Sequence, residues 1–255
     1  MKKPFAGRIY IAILLAGLSG FSSAKGKAYT VGVEDYENFL PYSQYKNEVY
    51  SGLGRDILDL FAKKKGYVFK YEAYPLKRLT ALFFSGKLDL LFPDNPYWIA
   101  EQRKGLDIKY TPMLKFTDGV LVLPKNKGNG VNNLKKLGMP LGFTPYEYLD
   151  LIKDRKITLF ENPGYDGLYQ QVFSGKIDGA YANTRVARYY WSKIKGVNEF
   201  PVVYDPDLPH TTDLYYISSI RYKDIIDEIE VFMKDDNNKA AIEELKRVHK
   251  FDKEE

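Results

Sequence analysis

The side chains able to do chemistry are few in kind. The chain has no cysteine and only two histidines, His210 and His249. Neither a nucleophile paired with a base nor a metal-ligand cluster is visible, so the composition argues against an enzyme and against a metal centre. What it offers instead is non-covalent grip: carboxylates, guanidinium groups and an aromatic stock of 22 Tyr and 15 Phe. Glu34, Asp35, Tyr36 and Phe39 follow a short alternating run, Asp94 and Asn95 follow an apolar run, and Arg78 stands three residues after Pro75. A carboxylate such as Asp94 accepts charge-assisted hydrogen bonds from an amine, whereas an arginine holds a carboxylate in a bidentate grip. Arg78 falls in the first turn of its helix, where a cation opposes the helix dipole and is poorly explained as a helix stabiliser. Each group also has a plainer reading: Asp94 with Asn95 as a turn, Arg78 as half of a surface ion pair, and Phe39 as a core ring beneath a loop.

An internal repeat indicates the elements that position these groups. Residues 79–92 read LTALFFSGKLDLLF and residues 168–181 read LYQQVFSGKIDGAY, both with Phe-Ser-Gly-Lys-apolar-Asp. In the first copy Leu76, Leu79, Leu82 and Phe83 recur at helical spacing, Gly86 stands where a left-handed C-cap belongs, and residues 88–92 are apolar except for Asp89. The second copy repeats this with Leu168, Val172 and Phe173, then Gly175, then residues 177–181. A helix, a turn and a buried strand, twice over, predict two small α/β lobes whose sheets are covered on both faces. Ser-Gly-Lys is not a phosphate loop, because the G-x-x-x-x-G-K-[ST] pattern is missing and the order is helix then strand. Its role is structural.

Around the copies the patterning predicts strands over 29–33, 67–71, 119–123, 140–143 and 214–218, and a helix over 53–65 ending at Gly66. Thr144-Pro145-Tyr146-Glu147 reads as a capping box with its helix starting at Pro145. Two amphipathic helices finish the chain, carrying Ile225, Ile226, Ile229 and Phe232, then Ile242, Leu245 and Val248. The chain is expected to cross between lobes near 111–118 and to return at 207–214, giving lobe one as residues 25–113 and 212–255 and lobe two as 114–211. Ligands of open α/β sheets sit beyond the carboxyl ends of strands, where helix N-termini also point, and this singles out Glu34, Tyr36, Phe39, Asp94 and Asn95.

The N-terminus reads as a secretory signal over residues 1–24: Lys2, Lys3 and Arg8, an apolar stretch from Ile9 to Leu18, then Ser22-Ser23-Ala24, with cleavage after Ala24. An apolar run of about ten residues is too short to span a bilayer, which takes roughly 20. With no cysteine after the cut there is no lipid anchor, and the expected place is the periplasm. The signal carries three of the 38 basic residues and no acidic one, which leaves 35 basic against 33 acidic side chains. Lys63-Lys64-Lys65 has no aromatic interleaved and suits a helix C-terminus, so nucleic acid is not an expected partner.

Taken together these residues resemble the bacterial extracellular solute-binding proteins of family 3, the amino-acid type of periplasmic binding protein. Gly52-Leu53-Gly54-Arg55-Asp56-Ile57 looks like the family's G-F-x-x-D-[LI], Pro75-Leu76-Lys77-Arg78 like its P-W-x-R, and Tyr110-Thr111-Pro112 like its Y-[ST]-x-P, one residue shorter. The two Ser-Gly-Lys-x-Asp units fall in the family's order. The resemblance implies the type II fold, two α/β lobes joined by two crossing strands, closing over a ligand. It implies no cofactor, a monomer, and an ABC-type transporter permease that receives the cargo. Phe39 matches the aromatic that stacks on the ligand. The family's carboxylate-binding arginine is matched by Arg103 in residue type and by Lys104 in spacing. Thr144 and Tyr146 occupy the helix-start segment of lobe two, where backbone N–H groups can meet an anion. The family's amine-binding aspartate falls near Asn183, which cannot supply its charge, at a cost of roughly 1.5–3 kcal/mol for an α-amino ligand. Asp94 or Glu34 would have to replace it.

The function expected is therefore capture of a small polar solute, an amino acid or a related amine or organic acid, for delivery to a transporter. The alternatives are sensing on behalf of a membrane receptor, and a dehydratase-like reaction run by cleft carboxylates on the same fold.

Overall fold

The computed structural model describes residues 26–194, 196 and 200–251. The segment read as a signal peptide lies outside the described residues, and among them no helix is long and apolar enough to cross a membrane.

The chain runs β1 (Ala28–Glu34), a hairpin of β2 (Gln44–Lys46) and β3 (Val49–Ser51), α1 (Leu53–Lys65), β4 (Val68–Tyr74), α2 (Leu76–Phe84), β5 (Leu90–Asp94), the short α3 (Ala100–Arg103) and the long β6 (Lys109–Val122). It continues through β7 (Lys136–Pro140), α4 (Leu149–Lys153), β8 (Thr158–Asn162), α5 (Tyr165–Phe173), β9 (Gly179–Asn183), α6 (Thr184–Tyr189), β10 (Val203–Tyr204), β11 (Thr211–Ser219), α7 (Lys223–Lys234) and α8 (Asp236–Val248). Helix α1 ends at Gly66, whose φ of 71° is the left-handed value that a residue without Cβ adopts at low cost.

Among the described residues nine strands form one sheet in the order β4-β1-β5-β11-β6-β9-β7-β8, with β10 against β6. Strand β1 pairs in parallel with β4 and β5, and β7 pairs in parallel with β8 and β9. Both halves of the sheet thus share one topology, first strand in the middle. Strands β6 and β11 are antiparallel to each other from Thr211↔Asp118 to Ser219↔Lys109 and run between the halves as the two crossing strands.

The repeat explains why the halves match. The Asp89 carboxylate accepts from the Thr30 N–H at 2.8 Å and from the Thr30 hydroxyl at 3.0 Å, which ties the approach to β5 to the middle of β1. Asp178 accepts from the N–H groups of Lys135 and Lys136 at 2.8 and 2.7 Å, tying the approach to β9 to the start of β7. A Cβ on Gly32 would meet Leu79 and Leu88, and one on Gly138 would meet Leu168 and Ile177, the residues at matching positions of the two copies. Glycine lets the repeat's helix pack directly on its first strand in each half.

Several expectations need correction. Strand β7 lies at 136–140 instead of 140–143, and the apolar run at 119–123 is the end of the 14-residue β6 rather than a strand of its own. The capping box does not form: the Tyr146–Tyr148 segment is a 3-10 turn with no side-chain cap, followed by the five-residue α4. Tyr148 explains this, since it is fully buried and donates from its hydroxyl to the Pro209 carbonyl at 2.8 Å. Burying that ring outweighs the local preference for a regular helix start.

Candidate functional site

Glu34 ends β1 at the carboxyl edge of the sheet. Its carboxylate has no hydrogen bond or ion pair to any described residue, and burial, with a lesser push from the Asp94 carboxylate, raises its pKa to about 7. Asp118 sits on β6, opposite Asn183 of β9 and Thr211 of β11. It accepts one hydrogen bond, from Asn183 Nδ2 at 3.1 Å, and burial raises its pKa to about 7 against that bond. Both groups pay a desolvation cost, and among the described residues neither has a cationic partner.

Aromatic rings wall the space between them. Phe39 is buried, with its centroid 6.0 Å from Tyr36, 6.1 Å from Phe143 and 6.2 Å from Tyr215. Tyr215 stacks on Phe116 at 4.3 Å and meets Tyr42 edge-on at 5.0 Å and Trp98 at 5.8 Å. Tyr36 donates from its hydroxyl to the Leu141 carbonyl at 2.6 Å, and Phe143 packs 6.2 Å from its ring. These contacts join the loop after β1 to the loop after β7 across the gap between the two halves. Tyr165, at the start of α5, is 4% exposed, and its hydroxyl has no hydrogen-bond partner among the described residues. Burial raises the pKa of the Tyr165 and Tyr215 phenols well above the ordinary value, and the Asp118 and Glu34 carboxylates add to the rise in both. Geometry joins Asp118 to Tyr215 through the Asn183 amide, which reaches both at 3.1 and 3.3 Å.

The sequence-selected residues divide into two sets. Glu34, Tyr36 and Phe39 lie in this space. Asp94 does not offer itself to a ligand: Arg103 Nη2 and Nη1 donate to its two oxygens at 2.5 and 3.1 Å, Ser218 Oγ donates at 2.5 Å, and the Asn95 N–H at 2.8 Å. Burial pushes its carboxyl upward, and Arg103 and these hydrogen bonds pull against that push. Arg103 also donates to the Trp98 carbonyl and the Tyr110 hydroxyl, so each of its three guanidinium nitrogens is engaged. Lys104 is exposed and pairs with Glu101 at 2.6 Å. Asn95 is buried and ties the end of β5 to Asp213 and Leu214 of β11 at 2.7 and 3.0 Å.

Asn183 accepts the Val186 N–H at 3.0 Å as the N-cap of α6, while its Nδ2 reaches Asp118 and lies 3.3 Å from the Tyr215 hydroxyl. Its side chain is used within the protein at the junction of β6, β9 and β11. Arg78 is exposed, with its guanidinium 4.9 Å over the Tyr74 ring. Thr144 and Tyr146 are exposed, and the Tyr146 hydroxyl lies by the Thr144 side chain and the Ile99 backbone. Sequence reading passed over Asp118, Tyr165 and Tyr215. The signal was present for Asp118, a carboxylate directly before the most apolar strand segment in the chain.

No protein-family model and no curated protein matches the chain. Solved structures do match it. The arginine-, lysine-, histidine-binding protein ArtJ from the thermophilic bacterium Geobacillus stearothermophilus is 17% identical with a TM-score of 0.68, over 90% of this chain and 97% of that one. An ancestral arginine-binding protein bound to arginine is 18% identical with a TM-score of 0.67, over 88% and 99%. The ancestral amino acid-binding protein AncCDT-1, a precursor of cyclohexadienyl dehydratase, is 18% identical with a TM-score of 0.63, over 87% and 97%. The fold is that of the type II two-lobed periplasmic binding proteins: two α/β lobes joined by two crossing strands.

Proposed function

We propose that this protein is a periplasmic solute-binding protein of the amino-acid type, which captures a small polar solute between its lobes and delivers it to an ABC-type transporter. The observation that carries the reading is the bridge across the cleft, where Tyr36 reaches the Leu141 carbonyl and Phe39 meets Phe143. A ligand lodged there touches both lobes at once, and closure gains free energy only from such differential contact. The solved structures of this fold, an arginine-, lysine-, histidine-binding protein and an ancestral arginine-binding protein among them, support the same role. In this reading residues 1–24 are removed after Ala24, residues 25–113 with 212–255 form lobe one, and residues 114–211 form lobe two. The mature chain works as a monomer in the periplasm without a cofactor, and its partner is a transporter permease.

The test is a thermal-shift screen of the mature chain with amino acids, amines, organic acids and short peptides. A ligand selective for the native state raises the midpoint by mass action, and a panel without a single shift would sink the reading. An enzymatic reading has one observation in its favour: Glu34 and Asp118 carry pKa values near 7, suited to general acid–base work. Product formation on incubation with a bound ligand would replace transport with catalysis.

A further inference from the structure

We propose that Phe143 is a built-in latch: its ring, carried by lobe two, seats against Tyr36 and Phe39 of lobe one and keeps the lobes together without help from a solute. The inference goes beyond the solute-capture reading, because it names the contact a solute has to part before it can enter.

The seat is aromatic on the lobe-one side. The rings of Tyr36 and Phe39 lie 6.0 Å apart, and Phe143 meets them at 6.2 and 6.1 Å with interplanar angles of 61° and 73°. Ring quadrupoles favour edge-to-face geometry of this kind. Phe39 is itself backed by Tyr42 at 5.8 Å and Tyr215 at 6.2 Å, so packing holds the seat in place. Phe143 packs on the apolar cluster that contains Phe39 and also on the lobe-two cluster that contains Leu137, Met139 and Tyr148. One side chain thus belongs to both lobes.

Delivery of that ring is local. Strand β7 ends at Pro140, and the Phe143 N–H donates to the Pro140 carbonyl at 3.2 Å, closing a four-residue turn. Gly142 has a φ of 91°, the positive value that a type II turn requires at its third residue. The Leu141 N–H donates to the Asn162 carbonyl at 2.8 Å, while the Leu141 carbonyl accepts from the Tyr36 hydroxyl at 2.6 Å. A Cβ on Gly142 would lie 3.9 Å from Leu76 Cδ2 at the start of α2. A single turn of lobe two therefore meets lobe one both at the loop after β1 and at α2.

The latch is small enough to release. Leu141, Gly142 and Thr144 are exposed, and the grip consists chiefly of one half-buried ring and one hydrogen bond. Arrangements that differ by so few contacts exchange by a shift in population, and a solute moves that balance only through contacts of its own. The competing reading makes Phe143 part of the lobe-two core alone. It predicts lost stability on truncation with no change in how far apart the lobes stand.

The chain has no cysteine, so spin labels can be attached at Lys70→Cys on β4 and Thr158→Cys on β8, exposed positions on the outermost strands of the two halves. The mature chain is dialysed in denaturant to strip carried-over solute and refolded, and double electron–electron resonance reads the label separation. The wild type should give one narrow population at the separation of this structure, and Phe143→Ala should move most molecules to a longer one. A wild type found mainly at the longer separation overturns the proposal, as does a distribution that Phe143→Ala leaves unchanged. If Phe143→Ala fails to fold, the wild-type distribution and Phe143→Leu, which keeps apolar bulk without the ring, decide the matter by the same criteria. Failure of the latch leaves solute capture standing, and a silent thermal-shift panel leaves the distance measurement unaffected.

Discussion

Arg103 holds Asp94 through both terminal nitrogens, with the closer contact at 2.5 Å, and the two side chains are 7% and 1% exposed. The pair joins the end of β5 to the last residue of α3, and Ser218 of β11 donates to the same carboxylate. A residue pair that sequence comparison would assign to the ligand is thus closed on itself and acts as a fastening between a parallel strand and a crossing strand. Removing one partner leaves an uncompensated buried charge, which typically costs about 3–5 kcal/mol, more than the intact pair contributes. Arg103→Ala should therefore lower the denaturation midpoint severely, and the double variant Arg103→Met with Asp94→Leu should recover much of the loss. Chemical denaturation of the three proteins checks this; equal stability of single and double variants would contradict it.

Tyr36 connects the lobes through one hydrogen bond to the Leu141 carbonyl. Tyr36→Phe keeps the ring contacts with Phe39 and Phe143 and removes only that bond. A typical net value of about 0.5–1.5 kcal/mol corresponds to a roughly 2- to 10-fold loss of ligand affinity if the bond forms on closure. The stability of the ligand-free protein should change less than the affinity. Calorimetric titration beside thermal melting separates the two effects.

Glu34 and Asp118 make the ligand-free protein sensitive to pH in an unusual direction. Their folded pKa values, raised to about 7 by burial, lie above the ordinary carboxylate range near 4. Between pH 4 and pH 7 the folded state binds more protons than the unfolded state, so their contribution is fully present below pH 4 and is lost as pH rises through 7. The buried Asp94 shifts in the same direction. The melting temperature of the ligand-free protein should accordingly fall as pH rises from 5 to 8. Glu34→Gln and Asp118→Asn should each flatten that slope, and an unaltered slope in both variants would refute the assignment.

Asp89 and Asp178 perform the same task in the two halves, Asp89 accepting from the N–H and hydroxyl of Thr30 in β1 and Asp178 from the Lys135 and Lys136 N–H groups at the start of β7. Replacing either with Ala strands those donors, at about 1–3 kcal/mol for a buried group and less where water reaches it. Both variants should melt lower while ligand affinity at a temperature where they remain folded stays at the wild-type value. A selective loss of affinity in either would mean that the repeat touches the ligand.

The elements legible from the chain alone are those whose signals are local. Helix α1 with its stop at Gly66, the two helix-turn-strand copies with Gly86 and Gly175 at positive φ, and the terminal helices all follow from apolar spacing and from glycine's access to left-handed backbone. The place of Glu34, Tyr36 and Phe39 at and just after the end of β1 was legible for the same reason, since a strand end can be read a few residues at a time. The failed capping box at Thr144 shows the limit, because the ring of Tyr148 found a buried position against Pro209 that no window around residue 144 contains.

The division of roles among the acidic residues lay beyond any local reading. Asp94 and Asp118 both sit beside apolar strand segments, and nothing in their neighbours tells which carboxylate is neutralised. That was settled by pairings between distant segments: Arg103 folding back on β5, and the register that sets Asp118 opposite Asn183 and Thr211. The periodicity of side chains encodes which face of an element is buried. Which charge meets which partner depends on how elements far apart in the chain pack together, and desolvation, which fixes the pKa of each carboxylate, exists only once they have done so.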